Sequence, residues 1–421
     1  MEEWKEYKLG EVVIPVKDRI ETSCLDSASY ISTENMLPDK AGVTLSSGVP
    51  SGNAVMFKND DILISNIRPY FKKIWRANRD GGCSTDVICL RASNAVDPLF
   101  LYYLLSQDLF FDYVMQGAKG TKMPRGDRNQ IMQWPVLIPS KYEQHIIASI
   151  LSALDEKIEV NRRINDNLEQ QAQALFKSWF VDFEPFRDQP FVESELGMIP
   201  QGWRVGTLND LGEIIGGSTP SKANPQYYTD KGIAWLTPKD LSIANFKFTA
   251  KGETDITQEG YNSCSTKLMP KGSVLFSSRA PIGYITIAKN EICTNQGFKS
   301  VVPKLAGTAY IYYFLKASTE EIENKATGST FKEASGALMK SLPATIPSSY
   351  ILDSFEELIE PIFRKQETME DESRRLAELR DTLLPRLMSG ELSVDGLKGQ
   401  FAVSPGRCPG SNEHVSNKTA L

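Results

Sequence analysis

Residues 141–183 read KYEQHIIASILSALDEKIEVNRRINDNLEQQAQALFKSWFVDF, a stretch that contains neither glycine nor proline. Its apolar residues recur at alternating spacings of three and four, the pattern of a coiled-coil seam. The predicted seam residues are Leu151, Leu154, Ile158, Leu168, Leu175 and Trp179. Asn161 and Asn165 fall on the same seam, where polar residues usually specify register or partner. The pattern predicts one helix of about 40 residues, roughly 60 Å long.

A second long helix is predicted over residues 350–388, although this stretch contains Pro361. Ser389-Gly390 is predicted to end the helix. Its seam residues are Ile359, Ile362, Met369, Leu376 and Leu383. A helix of this length cannot bury its seam against a small domain. We therefore expect the two helices to pack on each other as an antiparallel pair. The alternative left open is that each helix dimerises separately between molecules.

The remaining sequence contains an internal repeat with a period of about 205–212 residues, and such repeats fix the architecture of a chain. Leu9-Gly-Glu-Val-Val matches Leu211-Gly-Glu-Ile-Ile, Cys83-Ser-Thr matches Cys293-Thr-Asn, and residues 100–105 match residues 310–315. Asp97 and Pro98 predict the start of a short helix in the first copy, and its counterpart is expected to begin near Gly307. Each copy is therefore expected to form one strand-rich structural unit.

The predicted fold class is α+β, with two pseudo-repeated α/β domains separated by two long antiparallel helices that act as a coiled-coil spacer. The predicted domains are 1–140 and 186–347, and the predicted spacer helices occupy 141–185 and 348–392. Residues 393–421 are rich in Gly, Ser, Pro and Asn and are predicted to form a disordered tail.

Composition is typical of a folded, soluble protein, with 41% hydrophobic and 24% charged residues. The first residues are charged, and no apolar run approaches the length of a membrane span. The six cysteines form no C-x-x-C pair and there are only two histidines, which argues against a zinc finger or a disulfide scaffold. The net charge is −6, but basic residues are in excess over residues 57–130 and 217–305. Local charge, rather than the total, steers a polyanion.

Motifs for catalysis are missing. Residues 224–227 and 97–100 resemble the adenine-gripping loop of amino-methyltransferases, but both lack its second proline and neither follows a glycine-rich loop. No phosphate-binding loop of the type that drives ATPases is present. We therefore predict no catalytic residue, no metal and no cofactor in this chain.

Three segments of the first long helix, residues 147–158, 161–168 and 174–183, carry a sequence resemblance. They are similar to the central helix of the specificity (S) subunits of type I restriction–modification systems. The opening of that family's target-recognition domains is similar to residues 216–225 and 235–240, and the loop before each long helix is similar to residues 120–128 and 328–332. The resemblance extends from about Trp4 to Leu392.

The resemblance implies a non-catalytic DNA-recognition subunit in the cytoplasm of a bacterium or archaeon. Each target-recognition domain would read one half of a bipartite, asymmetric site in double-stranded DNA. The helices would set the gap between the half-sites and dock two modification (methyltransferase) subunits, and restriction (translocase and nuclease) subunits would join them. S-adenosylmethionine, ATP and Mg²⁺ would belong to those partners. The alternatives left open are a two-headed protein scaffold without DNA specificity and a fragment of a fused restriction–modification enzyme.

Basic loops are the candidates for DNA contact, because Lys and Arg neutralise phosphates and Arg can also bind a guanine edge. In the first domain the candidates are Arg68, Lys72, Lys73, Arg76, Lys119, Lys122, Arg125 and Arg128. In the second domain they are Lys222, Lys239, Arg279, Lys299 and Lys332. Tyr70, Phe71 and Trp75 interleave the first cluster, and the sequence leaves open whether they belong to the core.

Overall fold

The computed structural model describes residues 4–243, 246–328 and 332–394. Its contacts divide the chain into two compact units. Unit 1 comprises the residues up to Lys157 and those from Leu376 onward, and unit 2 comprises Ile158–Arg375.

Unit 1 begins with short strands and helices and continues into the first long helix. In chain order these are β1 (Lys5–Lys8), α1 (Leu9–Val12), β2 (Val13–Pro15), β3 (Arg19–Glu21), β4 (Tyr30–Ile31), β5 (Asn53–Phe57), β6 (Ile62–Ser65), β7 (Ile74–Arg76), β8 (Gly81–Cys83), β9 (Val87–Ala92), α2 (Pro98–Leu105), α3 (Asp108–Gln116), α4 (Arg128–Ile131), β10 (Pro135–Ile138) and α5 (Lys141–Phe180). The strands form sheets in the orders β2-β9-β6-β7 and β3-β5-β8-β4, and β1 pairs with β10.

Unit 2 repeats this plan. Its elements are β11 (Phe191–Ser194), β12 (Gly197–Pro200), β13 (Arg204–Thr207), α6 (Leu208–Leu211), β14 (Gly212–Gly216), β15 (Tyr228–Thr229), β16 (Trp235–Leu236), α7 (Pro238–Ile243), β17 (Phe248–Thr249), β18 (Asp255–Ile256), α8 (Gln258–Asn262), β19 (Val274–Ser278), β20 (Ile282–Ala288), β21 (Cys293–Thr294), β22 (Lys299–Pro303), α9 (Thr308–Lys325), α10 (Gly336–Lys340), β23 (Pro343–Ile346) and α11 (Ser349–Met388). Its largest sheet has the order β14-β22-β19-β20-β17, and β13 pairs with β23.

A central strand in each unit separates two cores. In β6, Ile62 and Ile64 enter the core that packs on α2 and α3, whereas Leu63 enters the core that faces β5 and β8. In β19, Val274 and Phe276 enter the larger core, and Leu275 enters the smaller one. Because side chains alternate across a strand, a strand that is buried on both faces is largely apolar, as β6 and β19 are.

The repeat is visible in equivalent hydrogen bonds, and these correct the sequence match near its start. The Leu9 amide donates to the Trp134 carbonyl at 2.8 Å, and the Leu208 amide donates to the Leu342 carbonyl at 2.9 Å. Leu9 therefore corresponds to Leu208, and the match of Leu9 to Leu211 is three residues out. The sequence alignment was misplaced because both copies contain the identical letters Leu-Gly-Glu. The correct alignment follows from hydrogen bonds between distant residues, which the sequence does not reveal.

The match of the two cysteine motifs needs a similar correction. Ile31 pairs with Cys83 in unit 1, and Leu236 pairs with Thr294 in unit 2. The Ser84 amide donates to Ile31 and the Asn295 amide donates to Leu236, so Cys83 corresponds to Thr294 rather than to Cys293. The two matched cysteines are thus one position apart in the fold.

The two domains start their equivalent helices in different ways. The carboxylate of Asp97 accepts the amides of Leu99 and Phe100 at the start of α2, as the sequence predicts. Gly307 precedes α9 and has no side chain to do this. Glu356 of α11 instead accepts the amides of Ala309 and Tyr310 at 3.1 and 2.9 Å. The second domain is thereby bonded to its own long helix.

Polar side chains, including two residues of the predicted seam, hold the long helices together within each unit. In unit 2, the buried Asn161 side chain donates to Glu372 at 2.9 Å, and the Asn165 amide donates to the Gln366 carbonyl at 3.4 Å. Partner numbers fall along α11 as they rise along α5, so the two helices run antiparallel here. In unit 1, Arg380 donates to Asp155 at 2.7 Å.

The predicted apolar seam residues differ in burial. Leu151, Ile359 and Met369 are buried, whereas the other predicted residues are partly buried. Phe176 and Phe180, which the predicted seam omits, are buried against Tyr310 and Phe355. These helix segments thus contribute to the domain core as well as to the helix pair. Most of the predicted tail, residues 395–421, lies outside the described residues, and Val394 is buried in the core of unit 1.

Candidate nucleic-acid interface

In the first domain, two distant stretches of basic sequence meet at the ends of β6 and α3. Ile67 forms an isolated bridge with Arg125, and the Arg68 amide donates to the Pro124 carbonyl at 2.8 Å. Lys119 and Arg125 close a small hairpin by bonding to each other's backbone. The backbones of Arg68 and Arg125 therefore lie close together although 57 residues separate them.

The exposed cations of this hairpin have acidic or carbonyl partners. Lys119 pairs with Asp127 at 3.0 Å, and Arg125 pairs with Asp86 at 3.3 Å. Arg128 donates to the Thr85 carbonyl at 2.6 Å, and Lys122 is exposed between them. Exposed ion pairs contribute only about 0–1 kcal/mol, so a phosphate can compete for these cations at little cost.

Three other candidates of the first domain have partners outside the hairpin. Lys72 pairs with Asp108 at 3.0 Å, and Lys40 shares the same carboxylate. Arg76 pairs with Asp60 at 3.4 Å beside β6. Lys73 donates to the Thr33 carbonyl at 2.7 Å and lies near Arg68. The predicted DNA-binding residues of the first domain therefore do not form one cluster. Some lie in or next to the hairpin, and the others lie in the turn before β7 or at the end of β7.

In the second domain, the two sequence motifs at 216–225 and 235–240 form one cleft. Gly217 is required there, because a Cβ atom would lie 2.0 Å from the Asn295 carbonyl oxygen. The Trp235 indole donates to Ser218 at 3.2 Å, and the Tyr228 hydroxyl donates to Pro220 at 2.6 Å. These bonds fix the loop after β14 against β15 and β16.

The cleft has a volume of about 800 Å³ and combines cations, amides and aromatic rings. Lys222, Lys239 and Arg279 line it, so the structure brings three predicted residues together. Asn295 and Gln296 also line it, and Gln296 is hydrogen-bonded to Thr219. Sequence reasoning missed both amides because it considered only cations. The Asn-Gln-Gly turn after the repeated cysteine motif is the signal that could have indicated them.

The remaining candidates of the second domain, Lys299 and Lys332, have different partners. Glu333 accepts from Arg279 at 3.4 Å and from Lys299 at 3.3 Å. Lys332 donates to the Glu323 carbonyl at 3.2 Å. Lys299 is mostly covered, so its charge serves this cluster rather than the open surface.

The same hairpin position carries opposite charges in the two domains. Thr327 and Glu333 bridge each other as Lys119 and Arg125 do, which makes Glu333 the counterpart of Arg125. Arg125 faces an aspartate in the first domain, whereas Glu333 faces two cations in the second. Equivalent loops therefore present different chemistry on one scaffold.

Metal centres and membrane spans are not found in the part of the chain that the structure describes. In residues 4–243, 246–328 and 332–394, no group of three or more His, Cys, Asp or Glu side chains is arranged to hold a metal ion. None of the helices in these ranges is long and apolar enough to cross a membrane.

Duplicated α/β domains with basic loops, joined to a pair of long antiparallel helices, define a class of DNA-recognition protein. The family described as "Type I restriction modification DNA specificity domain" matches residues 1–170 and 200–368, which is more than half of the chain. The chain belongs to this family of type I restriction–modification specificity subunits.

Individual relatives agree with this assignment. The HindI specificity subunit of Haemophilus influenzae is 28% identical over 463 residues, covering 93% of this chain and 100% of that protein. The MjaIX specificity subunit of Methanocaldococcus jannaschii is 39% identical over 190 residues, covering 43% of this chain and 44% of that protein. The crystal structure of the S subunit from M. genitalium has a TM-score of 0.55 at 18% identity, covering 91% of this chain and 96% of that one, and shows the same fold.

These findings confirm the predicted family, the α+β fold class and the role as a DNA-specificity component. They favour that role over the scaffold without DNA specificity. A type I specificity subunit is the DNA-recognition component rather than the catalytic one, and this holds for the present chain. The relatives named come from bacteria and archaea.

Proposed function

We propose that the two domains, residues 1–140 and 186–347, read different halves of a bipartite, asymmetric DNA site. The observation that carries this proposal is the reversed charge at the equivalent positions Arg125 and Glu333. Two identical readers related by a pseudo-two-fold axis would favour a palindrome, whereas two different readers favour an asymmetric site.

The DNA-contacting residues of the first domain are the exposed cations Lys119, Lys122, Arg125 and Arg128, together with the turn that contains Arg68 and Lys73. In the second domain they are the cations of the cleft, Lys222, Lys239 and Arg279, and Lys332 beside it. Lys72, Arg76 and Lys299 are also candidates for DNA contact, and at each of them a phosphate would have to replace the carboxylate that the side chain now bonds.

The long helices are the docking surface for two modification subunits, to which restriction subunits add. This part of the proposal follows the family to which the chain belongs. Val160, Leu358 and Leu379 are exposed apolar residues on α5 and α11 that such partners would cover. S-adenosylmethionine, ATP and Mg²⁺ belong to those partners.

Methylation sequencing of a host that expresses this chain with its modification subunit tests the proposed reading. We expect methylated adenines in one asymmetric sequence with two defined halves and a fixed gap. Exchanging residues 4–140 for those of a relative should change one half only. A palindromic target, or a change in both halves, would contradict the proposal.

Substitution of the hairpin cations tests the DNA contact. The binding constant is measured at several salt concentrations, and its logarithm is plotted against the logarithm of the salt concentration. Lys119→Ala, Lys122→Ala and Arg125→Ala together should make the slope of this plot shallower by about 0.9 for each phosphate that is no longer neutralised. Lys5→Ala, on β1 and outside both loops, is the control and should leave the salt dependence unchanged. Equal slopes for the triple variant and the control would exclude the hairpin from the interface.

Substitution on the helices tests subunit docking. Leu358→Lys and Val160→Lys should reduce co-purification of the modification subunit, whereas Gln170→Lys, an exposed polar position on α5, should not. Undiminished co-purification with both lysine variants would assign the docking surface elsewhere.

A further inference from the structure

The turn between β6 and β7 in unit 1 has a strained backbone. Residues Pro69–Phe71 form one turn of 3-10 helix, and Arg68 and Lys72 on either side both have a φ of 50°. Long side chains rarely adopt this left-handed region, and Arg68 also precedes a proline, which disfavours helical conformations. Such a conformation persists only where the surrounding structure holds it, and it is common at functional sites.

Backbone hydrogen bonds hold this turn from both sides. The Arg68 amide donates to Pro124 at 2.8 Å on the side of the basic hairpin. On the other side, the amides of Asp39 and Lys40 donate to the carbonyls of Phe71 and Lys72 at 2.8 and 3.1 Å. The turn is therefore a fixed projection rather than a loose loop.

Two aromatic rings lie on the surface of this turn. Tyr70 is 46% exposed and Phe71 is 36% exposed, and their ring centroids are 4.6 Å apart. Trp75, by contrast, packs edge-on against Phe57 in the smaller core. Trp75 therefore packs against the core, while the other two rings of the sequence cluster form an exposed aromatic pair.

Two cations without a bonded carboxylate flank the rings. The Arg68 Nε atom is buried without a hydrogen-bond partner, and within the described ranges no carboxylate bonds to Arg68 or Lys73. Burial lowers the pKa of Lys73, and the nearby charge of Arg68 lowers it further, although Glu34 opposes this. Like charges held together in this way are stabilised by a bound anion such as a phosphate.

We propose that Tyr70 and Phe71 insert as a wedge at a base step of the first half-site while Arg68 and Lys73 bind the adjacent phosphates. The inference rests on the proposed function and adds a second way in which the first domain recognises its half-site. Apolar side chains inserted between base pairs unstack them and kink the duplex, and sequences that unstack easily are then preferred.

The second domain supplies an internal comparison. Ala280 and Pro281 occupy the place of Arg68 and Pro69, because Ser278 and Asn66 accept equivalent backbone bonds from Ala334 and Gly126. Ala280 has a φ of 52°, but Ile282 and Gly283 follow it in place of the aromatic pair. The wedge therefore belongs to the first half-site alone.

The test uses the complex of this chain with its modification subunit. The DNA is a set of duplexes that contain the target sequence found by methylation sequencing. 2-Aminopurine, whose fluorescence rises when it unstacks, replaces adenine at successive positions of each half-site. Apart from any rise at the methylated adenines, which methyltransferases flip out of the stack, we expect a rise at one further step of the first half-site and at no further step of the second. The double variant Tyr70→Ala, Phe71→Ala should abolish that rise and weaken specific binding about tenfold or more, as loss of base stacking does.

Further variants separate the rings from the cations. Arg68→Ala should reduce the salt dependence of binding by about 0.9, whereas the double ring variant should leave it unchanged. Tyr70→Leu with Phe71→Leu should retain part of the unstacking, because leucine also acts as a wedge. Ile14→Ala removes another exposed apolar side chain of unit 1 and should change neither signal. If the double alanine variant fails to fold, the single variant Phe71→Ser is measured in its place.

Two results would overturn the wedge. One is an absence of unstacking in the first half-site of the wild-type complex, and the other is unchanged binding and fluorescence in the ring variants. In either case, specific binding by the wild-type complex to an asymmetric bipartite site would leave the proposed function standing. Loss of that specific binding in the wild type would instead contradict the proposed function itself.

Discussion

Each recognition domain is bonded to the long helices of its own unit by a similar hydrogen-bonded group, but the residues of the group differ between the two units. In unit 1, the Tyr103 hydroxyl donates to Asp155 at 2.7 Å, and Arg380 bonds the same carboxylate. In unit 2, the equivalent Tyr313 hydroxyl donates to Glu169 at 3.0 Å, and Lys247 bonds that carboxylate at 2.6 Å. In both, a buried tyrosine and a cation share one helix carboxylate.

The difference lies in where the cation comes from. Arg380 belongs to α11, so the unit 1 junction is built from helices only. Lys247 directly precedes β17 of the recognition domain and is only 8% exposed. Its ammonium group also donates to Gln366 at 2.9 Å and lies 3.9 Å from the centre of the Phe363 ring. Burial lowers the pKa of Lys247 to about 8.

The two junctions thus share one geometry, whereas the cation is more deeply buried in unit 2 than in unit 1. A buried charge that loses its partner is far more costly than an exposed one, because the remaining ion is left without water or a counter-ion. The unit 2 junction should therefore be the more sensitive of the two to loss of its carboxylate.

The largest effect is expected from Glu169→Ala, which leaves Lys247 buried without its carboxylate. The free energy of unfolding should fall by about 3–5 kcal/mol, measured by urea denaturation. The double variant Glu169→Ala, Lys247→Met should recover much of this loss. A double variant as unstable as the single one would show that the buried charge is not the cause.

A pH-dependent effect should follow from Glu370 in the same junction. Burial raises the pKa of Glu370 from 4.5 to about 7, although the amides of Lys247 and Phe248 donate to it and oppose the shift. The folded protein thus binds a proton that the unfolded chain has released, so this stabilisation is complete below pH 4.5 and is lost as the pH rises through about 7.

Glu370→Gln removes this dependence. Relative to wild type, the variant should gain about 3 kcal/mol in free energy of unfolding between pH 4 and pH 8, because one pKa unit corresponds to about 1.4 kcal/mol. Denaturation at a series of pH values gives this difference. Parallel curves for the two proteins would mean that Glu370 ionises normally in the folded state.

The unit 1 junction should respond less to the equivalent change. Asp155→Ala removes hydrogen bonds from Arg380 and Tyr103, but the Arg380 side chain is 27% exposed and keeps Asp381 as a partner. We expect a loss of about 2 kcal/mol in the free energy of unfolding. A loss equal to that of Glu169→Ala would refute the proposed difference between the junctions.

The smallest effect on stability is expected for the exposed pair Lys119–Asp127. Lys119→Ala should change the free energy of unfolding by less than about 1 kcal/mol, because an exposed ion pair is weak. Its effect on DNA binding should nevertheless be measurable through the salt dependence of the binding constant. A large loss of stability would make this lysine structural.

Local features of the fold could be predicted from the sequence. The sequence predicts that the first long helix begins at residue 141, and the helix is observed over Lys141–Phe180, because no glycine or proline interrupts it. The predicted cap at Asp97 and the predicted counterpart helix after Gly307 are also confirmed. Each of these depends on residues within a few positions of one another.

Features that depend on distant residues could not be predicted. Lys247 meets Glu169 across 78 residues, and Glu356 replaces a missing cap on a helix 46 residues earlier. The exposure of Tyr70 and Phe71 depends on backbone bonds to residues 39, 40 and 124. Counting charges identified the basic loops, but it did not distinguish Lys299, which bonds a carboxylate, from Arg68, whose Nε atom has no hydrogen-bond partner among the described residues.

Lengthening both long helices tests the proposal that two different domains read two half-sites, together with the expectation that helix length sets the gap between them. The bonds of Asp155 with Arg380 and of Asn161 with Glu372 indicate where the helices can be lengthened without breaking either. Four residues would be inserted in α5 between Asp155 and Asn161, and four in α11 between Glu372 and Arg380. Each insertion adds about 6 Å of helix, nearly two base-pair steps of 3.4 Å.

The decisive measurement is the sequence methylated by a complex that contains this doubly lengthened chain. The account predicts unchanged half-sites separated by a longer gap. An active complex that keeps the original gap, or one that reads altered half-sites, would contradict it.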